Sequence, residues 1–230
     1  MKLATASHTK QEFWKQTMTY IVGRKKVEEF LGFLVESSKI LMSDTSFYDT
    51  FPKLGEIAVP YLGDWFSIDL FFGPGRVQNV TEQHMAGLDP AMNIKIGEAF
   101  RPYTQKDAGG KRSIVASKTP RIYKTTPQNT NEGPESILSN LGVRSALIVP
   151  LVLPSGCIGT MEILSLESSE ERLYGPAEMA LAEELGRRVS LAVERSVLYH
   201  ENQRFKNEKA RKISTFYKEG HNTYNHSYKI

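Results

Sequence analysis

GVRSALIVPLVLPSGCIGTMEIL, residues Gly142–Leu164, is the stretch on which the reading of this chain turns. Two apolar β-runs, Arg144–Leu153 and Cys157–Leu166, flank the turn residues Pro154, Ser155 and Gly156. Runs of this length, rich in Val, Ile and Leu and separated by a Pro/Gly turn, predict a buried hairpin. An amphipathic helix follows. Gly175 stands at its N-cap, Pro176 at the first helical position and Glu178 in the first turn, which suits the orphan N–H groups and the helix dipole. Its apolar positions Met179, Ala182, Leu185, Val189, Ala192, Val193 and Val197 continue to about Tyr199.

Outward from the hairpin, the upstream chain supplies two helices and a second hairpin. Val27, Phe30, Leu31, Leu34 and Leu41 recur at three- and four-residue steps, while Phe33 and Ile40 lie off that stripe. Such a helix has two apolar faces and packs against two partners. Ser43 and Asp44 offer an N-cap for the next helix, whose stripe is Phe47, Phe51, Leu54 and Ala58 and which ends near Pro60 and Gly63. Asp64–Phe72 alternates along DWFSIDLFF, and Gly73-Pro74-Gly75 turns it into Arg76–His84. Strand alternation sends Phe66, Ile68, Leu70 and Phe72 to one face and Trp65, Ser67, Asp69 and Phe71 to the other. In the strand Ser145–Leu153, Ser145, Leu147 and Val149 share one face, and Ala146, Ile148 and Pro150 the other.

Met85–Ser136 is less regular. Asp89-Pro90 starts a helix through Met92, Ile94, Ile96 and Phe100, Arg101–Arg112 reads as a loop, Ser113–Ser117 as a helical turn, and Arg121–Tyr123 as a short strand. A polar loop then precedes a short helix at Glu135–Asn140. Irregular segments of this length inside a compact domain are usually functional.

The bulk numbers bound the rest. A chain of 230 residues with 40% hydrophobic and 24% charged residues suits one soluble domain with flanking helices. No apolar run approaches the roughly 18–20 residues of a membrane span, and the N-terminus MKLATASHTKQEFWKQ lacks a signal-peptide core. A single cysteine, Cys157, cannot form an internal disulfide, in keeping with a reducing cytoplasm. Of the formal net charge of +3, seven Lys/Arg against two Glu over residues 204–229 leave the remainder at roughly −2. A basic tail on a slightly acidic body does not make a nucleic-acid surface, which needs basic and aromatic residues on the folded part. We therefore expect residues 1–23 to be a partly helical extension, 24–200 the domain, and 201–230 a basic helical extension running into a disordered tail from Gly220.

Five strings, in order, resemble the GAF domain: ESSKILMS, AVPYLGDWFSIDL, SKTPRIYK, the hairpin block from Leu141, and YGPAEMALAEELGRRVSLAVERSVLY. The resemblance covers Phe33 to Tyr199 and is nearest to bacterial GAF domains that precede histidine-kinase or serine-phosphatase output domains. It implies an α+β fold: a GAF/PAS-like central antiparallel sheet, terminal helices on one face, and a ligand pocket under loops and short helices on the other. It further implies a cytoplasmic signal-transduction module of the two-component kind that binds an unknown small molecule. Such a module homodimerises through its first and last helices and passes the signal to an effector. No nucleic acid or membrane partner is expected. On that template the ligand-binding candidates are Trp65, Ser67, Asp69, Phe71, Phe100, Arg121, Tyr123, Ser145 and Leu147. A ligand-free dimerisation scaffold and a haem or chromophore sensor are the alternatives.

Several chemistries known in GAF domains find no support in the residues. Bilin-binding members carry a cysteine in the helical region beside the pocket, and Met85–Ser136 has none. Methionine-sulfoxide reductases of this fold need several cysteines to form and resolve a disulfide. The Asn-Lys-Phe-Asp-Glu signature of cyclic-nucleotide binders is missing. The histidines, His8, His84, His200, His221 and His226, are scattered, and only His84 stands where a haem ligand could be sought. Lys111, Arg112 and Arg121 read either as an anion-attracting group or as solvated loop charges. No nucleophile–base–orienter set emerges, so no catalytic residue, cofactor or metal is expected.

Overall fold

The computed structural model describes residues 26–43, 46–72, 76–100, 111–125, 134–166 and 172–226, with side chains to residue 209 other than those of Arg112 and Pro134. The extension 1–23, the turn Gly73-Pro74-Gly75 and most of the expected loop Arg101–Arg112 lie outside the described residues.

Helix α1 (residues 26–43) leads into α2 (Phe47–Leu62), and strands β1 (Trp65–Phe71) and β2 (Val77–His84) form the first hairpin. Then come α3 (Pro90–Phe100), α4 (Lys111–Ser117), β3 (Arg121–Lys124) and α5 (Pro134–Asn140). The hairpin β4 (Val143–Leu153) and β5 (Gly156–Leu166) precedes α6 (Pro176–His226). The five strands form one sheet in the order β2-β1-β5-β4-β3, all neighbours antiparallel. The expected α+β architecture is what forms. Among the described residues no helix is long and apolar enough to cross a membrane.

The sheet separates two cores. On one face Phe66, Ile68 and Leu70 of β1, Leu147, Val149 and Leu151 of β4, and Met161 and Ile163 of β5 meet the helix layer. That layer contributes Phe51, Leu54 and Ala58 from α2, Leu185 and Val189 from α6, and Phe33 and Leu41 from α1. Each such Leu or Phe, taken out of water, stabilises the fold by roughly 1.5–3 kcal/mol relative to exposure. The other face holds a smaller cluster: Trp65, Ala146, Ile148 and Leu164 from the strands under Ile96 and Phe100 of α3, Ile114 of α4 and Leu138 of α5. Close approach at the centre of the sheet depends on Gly159, where a Cβ would stand 2.2 Å from the Asp69 carbonyl oxygen. No side chain fits there without parting β1 from β5.

The start of α6 behaves as its sequence predicts. The Glu178 carboxylate accepts the Gly175 N–H at 2.9 Å and pairs with Lys26 of α1, so it caps α6 and ties the two terminal helices together. Burial raises the Glu178 carboxyl, but the bonds from Lys26 and from backbone N–H groups outweigh it and hold the group below its ordinary value. Arg188 adds a second tie, from Glu184 on its own helix to the Leu34 carbonyl and Ser38 hydroxyl of α1.

Three expectations need correction. Ser43 lies inside α1, and Ser46 occupies the N-cap of α2 instead. Phe72 falls beyond β1 and is exposed, because the strand ends before it can reach the helix layer. On α1 the inward face mixes the two, with Phe33 and Leu41 buried and Phe30, Leu34 and Ile40 half-buried against the core, whereas Val27 and Leu31 of the expected stripe are exposed. Periodicity identifies two apolar faces and cannot say which is inward. Past Tyr199, α6 continues to His226. The Glu, Gln, Lys, Arg and Ala residues after Tyr199 favour helix without burial, and one glycine costs only about 1 kcal/mol.

Candidate functional site

Strand β1 faces both cores, and its polar alternates open the site. Trp65, Ser67 and Asp69 point away from the terminal helices into a cavity of about 260 Å³, bordered also by Asn79 and Glu82 of β2 and by α3. Helix α3 is set over the sheet by Asp89, whose carboxylate accepts the Ala91 N–H at 3.1 Å, and by Pro90 at its first position. It contributes Asn93, Ile94, Gly97 and Phe100 to the lining. Gly97 lets it come close, since a Cβ there would lie 3.1 Å from the Glu82 carboxylate. The Trp65 indole N–H donates to Asn93 Oδ1 at 3.0 Å, which fixes the ring, and its centroid lies 5.8 Å from that of Phe100 at a 37° tilt.

Beneath the cavity lies a buried group of charges. Lys111 Nζ is 2.8 Å from Asp69 Oδ2 and 2.9 Å from Glu162 Oε1, and the three side chains are 3%, 5% and 0% exposed respectively. The second oxygens are also held: Asn79 Nδ2 donates to Asp69 Oδ1 at 2.9 Å and Ser67 Oγ to Glu162 Oε2 at 2.9 Å. Lys111 also lies 5.7 Å from the Phe100 ring centroid. Sheet register explains the assembly, because Ser67 is directly opposite Glu162 and Asp69 opposite Thr160. Burial would lower the Lys111 ammonium, yet the charges of Glu162 and Asp69 prevail and raise it. For Glu162 burial prevails, so its carboxyl is held above the ordinary value despite Lys111. Carboxylates this far from water persist only because each is paired and hydrogen-bonded.

The sequence-derived candidates divide on this map. Trp65, Ser67, Asp69 and Phe100 line the cavity. Tyr123 is buried in the smaller core and Phe71 is half-buried at the end of β1; neither lines it. Arg121 is exposed on β3, so no anion-binding group forms from it and Lys111, whose charge is spent on two carboxylates. Leu147 and Ser145 are on the wrong face. Leu147 belongs to the helix-layer core, while Ser145 donates to the Tyr123 carbonyl at 3.0 Å and accepts the Tyr174 N–H at 3.4 Å. The alternation in β4 is real, but Ala146 and Ile148 are the residues turned to the cavity side.

Glu162, Asn79, Glu82 and Asn93 escaped the sequence reading, and Lys111 entered it only as an anion-attracting or solvated loop charge. Glu162 did leave a trace, as the lone charge within the apolar strand of the decisive hairpin. Cys157 is half-buried at the start of β5 with its Sγ 3.3 Å from the Gly159 carbonyl, and burial pushes its thiol up. His84 ends β2 with Nδ1 3.1 Å from the Met85 carbonyl and does not reach the cavity lining. Among the described residues no three His, Cys, Asp or Glu side chains are grouped to hold a metal.

Comparison of the fold with solved structures finds GAF domains. One is the phycocyanobilin-bound GAF domain of a cyanobacterial phytochrome, with TM-score 0.55 and 16% identity over 74% of this chain and 97% of that one. A second is the GAF domain of a phosphoenolpyruvate-protein phosphotransferase from Coxiella burnetii, with TM-score 0.53 and 13% identity over 76% and 98%. A third is the GAF domain of a protein designated a sensor histidine kinase from Pseudomonas syringae pv. tomato, with TM-score 0.53 and 13% identity over 80% and 98%. By sequence, no protein-family model matches the chain. No curated protein matches it either.

Proposed function

We propose, from the GAF fold of this chain, that it is a regulatory sensor module: a small ligand occupies the cavity over β1, and the signal leaves through dimerising terminal helices. The observation that carries this reading is the double exposure of one strand. Trp65, Ser67 and Asp69 line the cavity while Phe66, Ile68 and Leu70, alternating with them in sequence, pack into the core under α2 and α6. A ligand that binds one setting of β1 better than another changes what the helices pack against, and only such a differential affinity can move them.

The terminal helices have surface to spare for a second copy. Val27, Leu31, Val35 and Met42 form an exposed apolar stripe on α1. On α6, Leu191, Leu198 and Phe205 are exposed at seven-residue intervals, the repeat of a coiled-coil seam. Beyond the domain α6 continues to His226, a lever for an effector on a longer chain or a separate protein. The scaffold alternative needs the cavity packed shut by the module's own aromatics. Trp65 and Phe100 instead border an open volume, which favours a ligand.

Light scattering after gel filtration tests the helix part. The full chain should run as a dimer and Leu198→Glu as a folded monomer with an unchanged circular-dichroism spectrum. A monomeric parent chain, or an undisturbed dimer in the variant, would remove these helices as the interface.

A further inference from the structure

The charge balance around the cavity points to the chemistry of what fills it. One cation, Lys111, faces two buried carboxyl groups, Asp69 and Glu162, so with both ionised the buried group is short of one positive charge. Asp69 is the member that also lines the cavity, and with one neighbour on each oxygen it still has lone pairs for another donor. Glu82 places a second carboxylate on the wall, 3.1 Å from the Cβ position of Gly97, and forms no ion pair or hydrogen bond among the described residues. No Lys or Arg is in the described lining, which carries the two carboxylates Asp69 and Glu82. Trp65 and Phe100 add two aromatic rings to the same lining, and aromatic rings attract cations. A volume of about 260 Å³ is just under the roughly 300–1,000 Å³ of pockets for drug-sized ligands, so the occupant has few heavy atoms.

We infer that the cavity between β1, β2 and α3 binds a small organic cation, a protonated amine or a substituted ammonium, between Asp69, Glu82 and the rings of Trp65 and Phe100. This rests on the reading of the cavity as the ligand site. The cation supplies the missing charge beside Asp69 without displacing Lys111, and its alkyl part covers Ile94 and the two rings.

The chain has two tryptophans, so Trp14→Phe in the full chain leaves Trp65 as the fluorescent reporter. That protein is titrated with three probes of matched size, n-butylammonium chloride, sodium butyrate and n-butanol, at constant ionic strength. The expected result is a saturable change with butylammonium at millimolar concentration and none with the other two. Asp69→Asn should weaken it at least about tenfold, and Glu82→Gln, on the cavity rim and outside the buried triad, about threefold or more. Saturation by butyrate or butanol but not butylammonium would overturn the cation while leaving a ligand site in place. No saturation by any probe would overturn the cation and the ligand-site reading together. Butylammonium binding of unchanged strength in Glu82→Gln and in any folded Asp69→Asn would place the site elsewhere and overturn the inference.

Discussion

The two faces of the sheet are built from the same strands by opposite means. Toward α1, α2 and α6 the sheet presents Phe66, Ile68, Leu70, Leu147, Val149 and Met161, a dry apolar layer that needs no partner of specified charge. Toward α3 and α4 it presents Ser67, Asp69 and Glu162, held by one lysine that arrives from outside the sheet. Replacing a buried ion network with apolar residues is often neutral or stabilising, so such a network is weak evidence of a purely structural role. The face that spends burial on charge is the face that holds the cavity. Two glutamates sharpen the contrast: Glu178, at the start of α6, is held below its ordinary value, whereas Glu162, under the cavity, is held above it.

The comparison breaks first, and most, at Lys111. Lys111→Met leaves Asp69 and Glu162 buried without a counter-charge, and removal of one partner from a buried network costs about 3–5 kcal/mol. The sign of its pH dependence follows from Glu162. A carboxyl raised in the folded state binds its proton more tightly there than when unfolded, so ionisation as pH rises above the ordinary value opposes folding. Urea melts should therefore show the loss at about pH 8 and a smaller one at about pH 5; an equal loss at both would remove the charged layer as the cause.

On the apolar face, Leu147→Ala should cost about 2–5 kcal/mol at either pH, with no change in probe binding at the cavity. Altered binding with little loss of stability would return Leu147 to the site. Gly159→Ala, at the line where both faces meet, should cost about 1–3 kcal/mol or more, because the new Cβ has the Asp69 carbonyl in its way. Its signature would be amide exchange accelerated in β1 and β5 together. The smallest effect belongs to Glu178→Gln, about 0.5–1 kcal/mol at neutral pH through loss of charge at the α6 N-terminus. Here the folded value is depressed, so the contribution is present above the ordinary carboxylate range and is lost as pH falls through the lower value. Parent and variant should thus converge in acid.

What could be read in advance follows from the same contrast. The apolar face writes itself into the chain as alternation and three-to-four spacing, so the helices, both hairpins and the outward and inward halves of β1 were legible. β4 was harder, since Val143–Leu153 is apolar on both faces and alternation alone does not say which half turns to the cavity. Leu147 and Ser145 were misplaced for that reason. The charged layer left still less. Lys111 lies 42 positions from Asp69 and 51 from Glu162 along the chain, and only the β1–β5 register and the placement of α4 bring them together. Long-range charge pairing has no period, and a lysine in a glycine-rich loop reads as solvated. Glu162 stood out as a lone charge in an apolar strand, a signal that could have been followed.

Native mass spectrometry of the freshly purified full chain, beside its Asp69→Asn variant, tests the central claim most directly. The account predicts a dimer that carries a small non-covalent mass, of a size suited to a cavity of about 260 Å³, and a variant dimer that has lost it. A bare monomer, or an added mass retained unchanged by the variant, would contradict it.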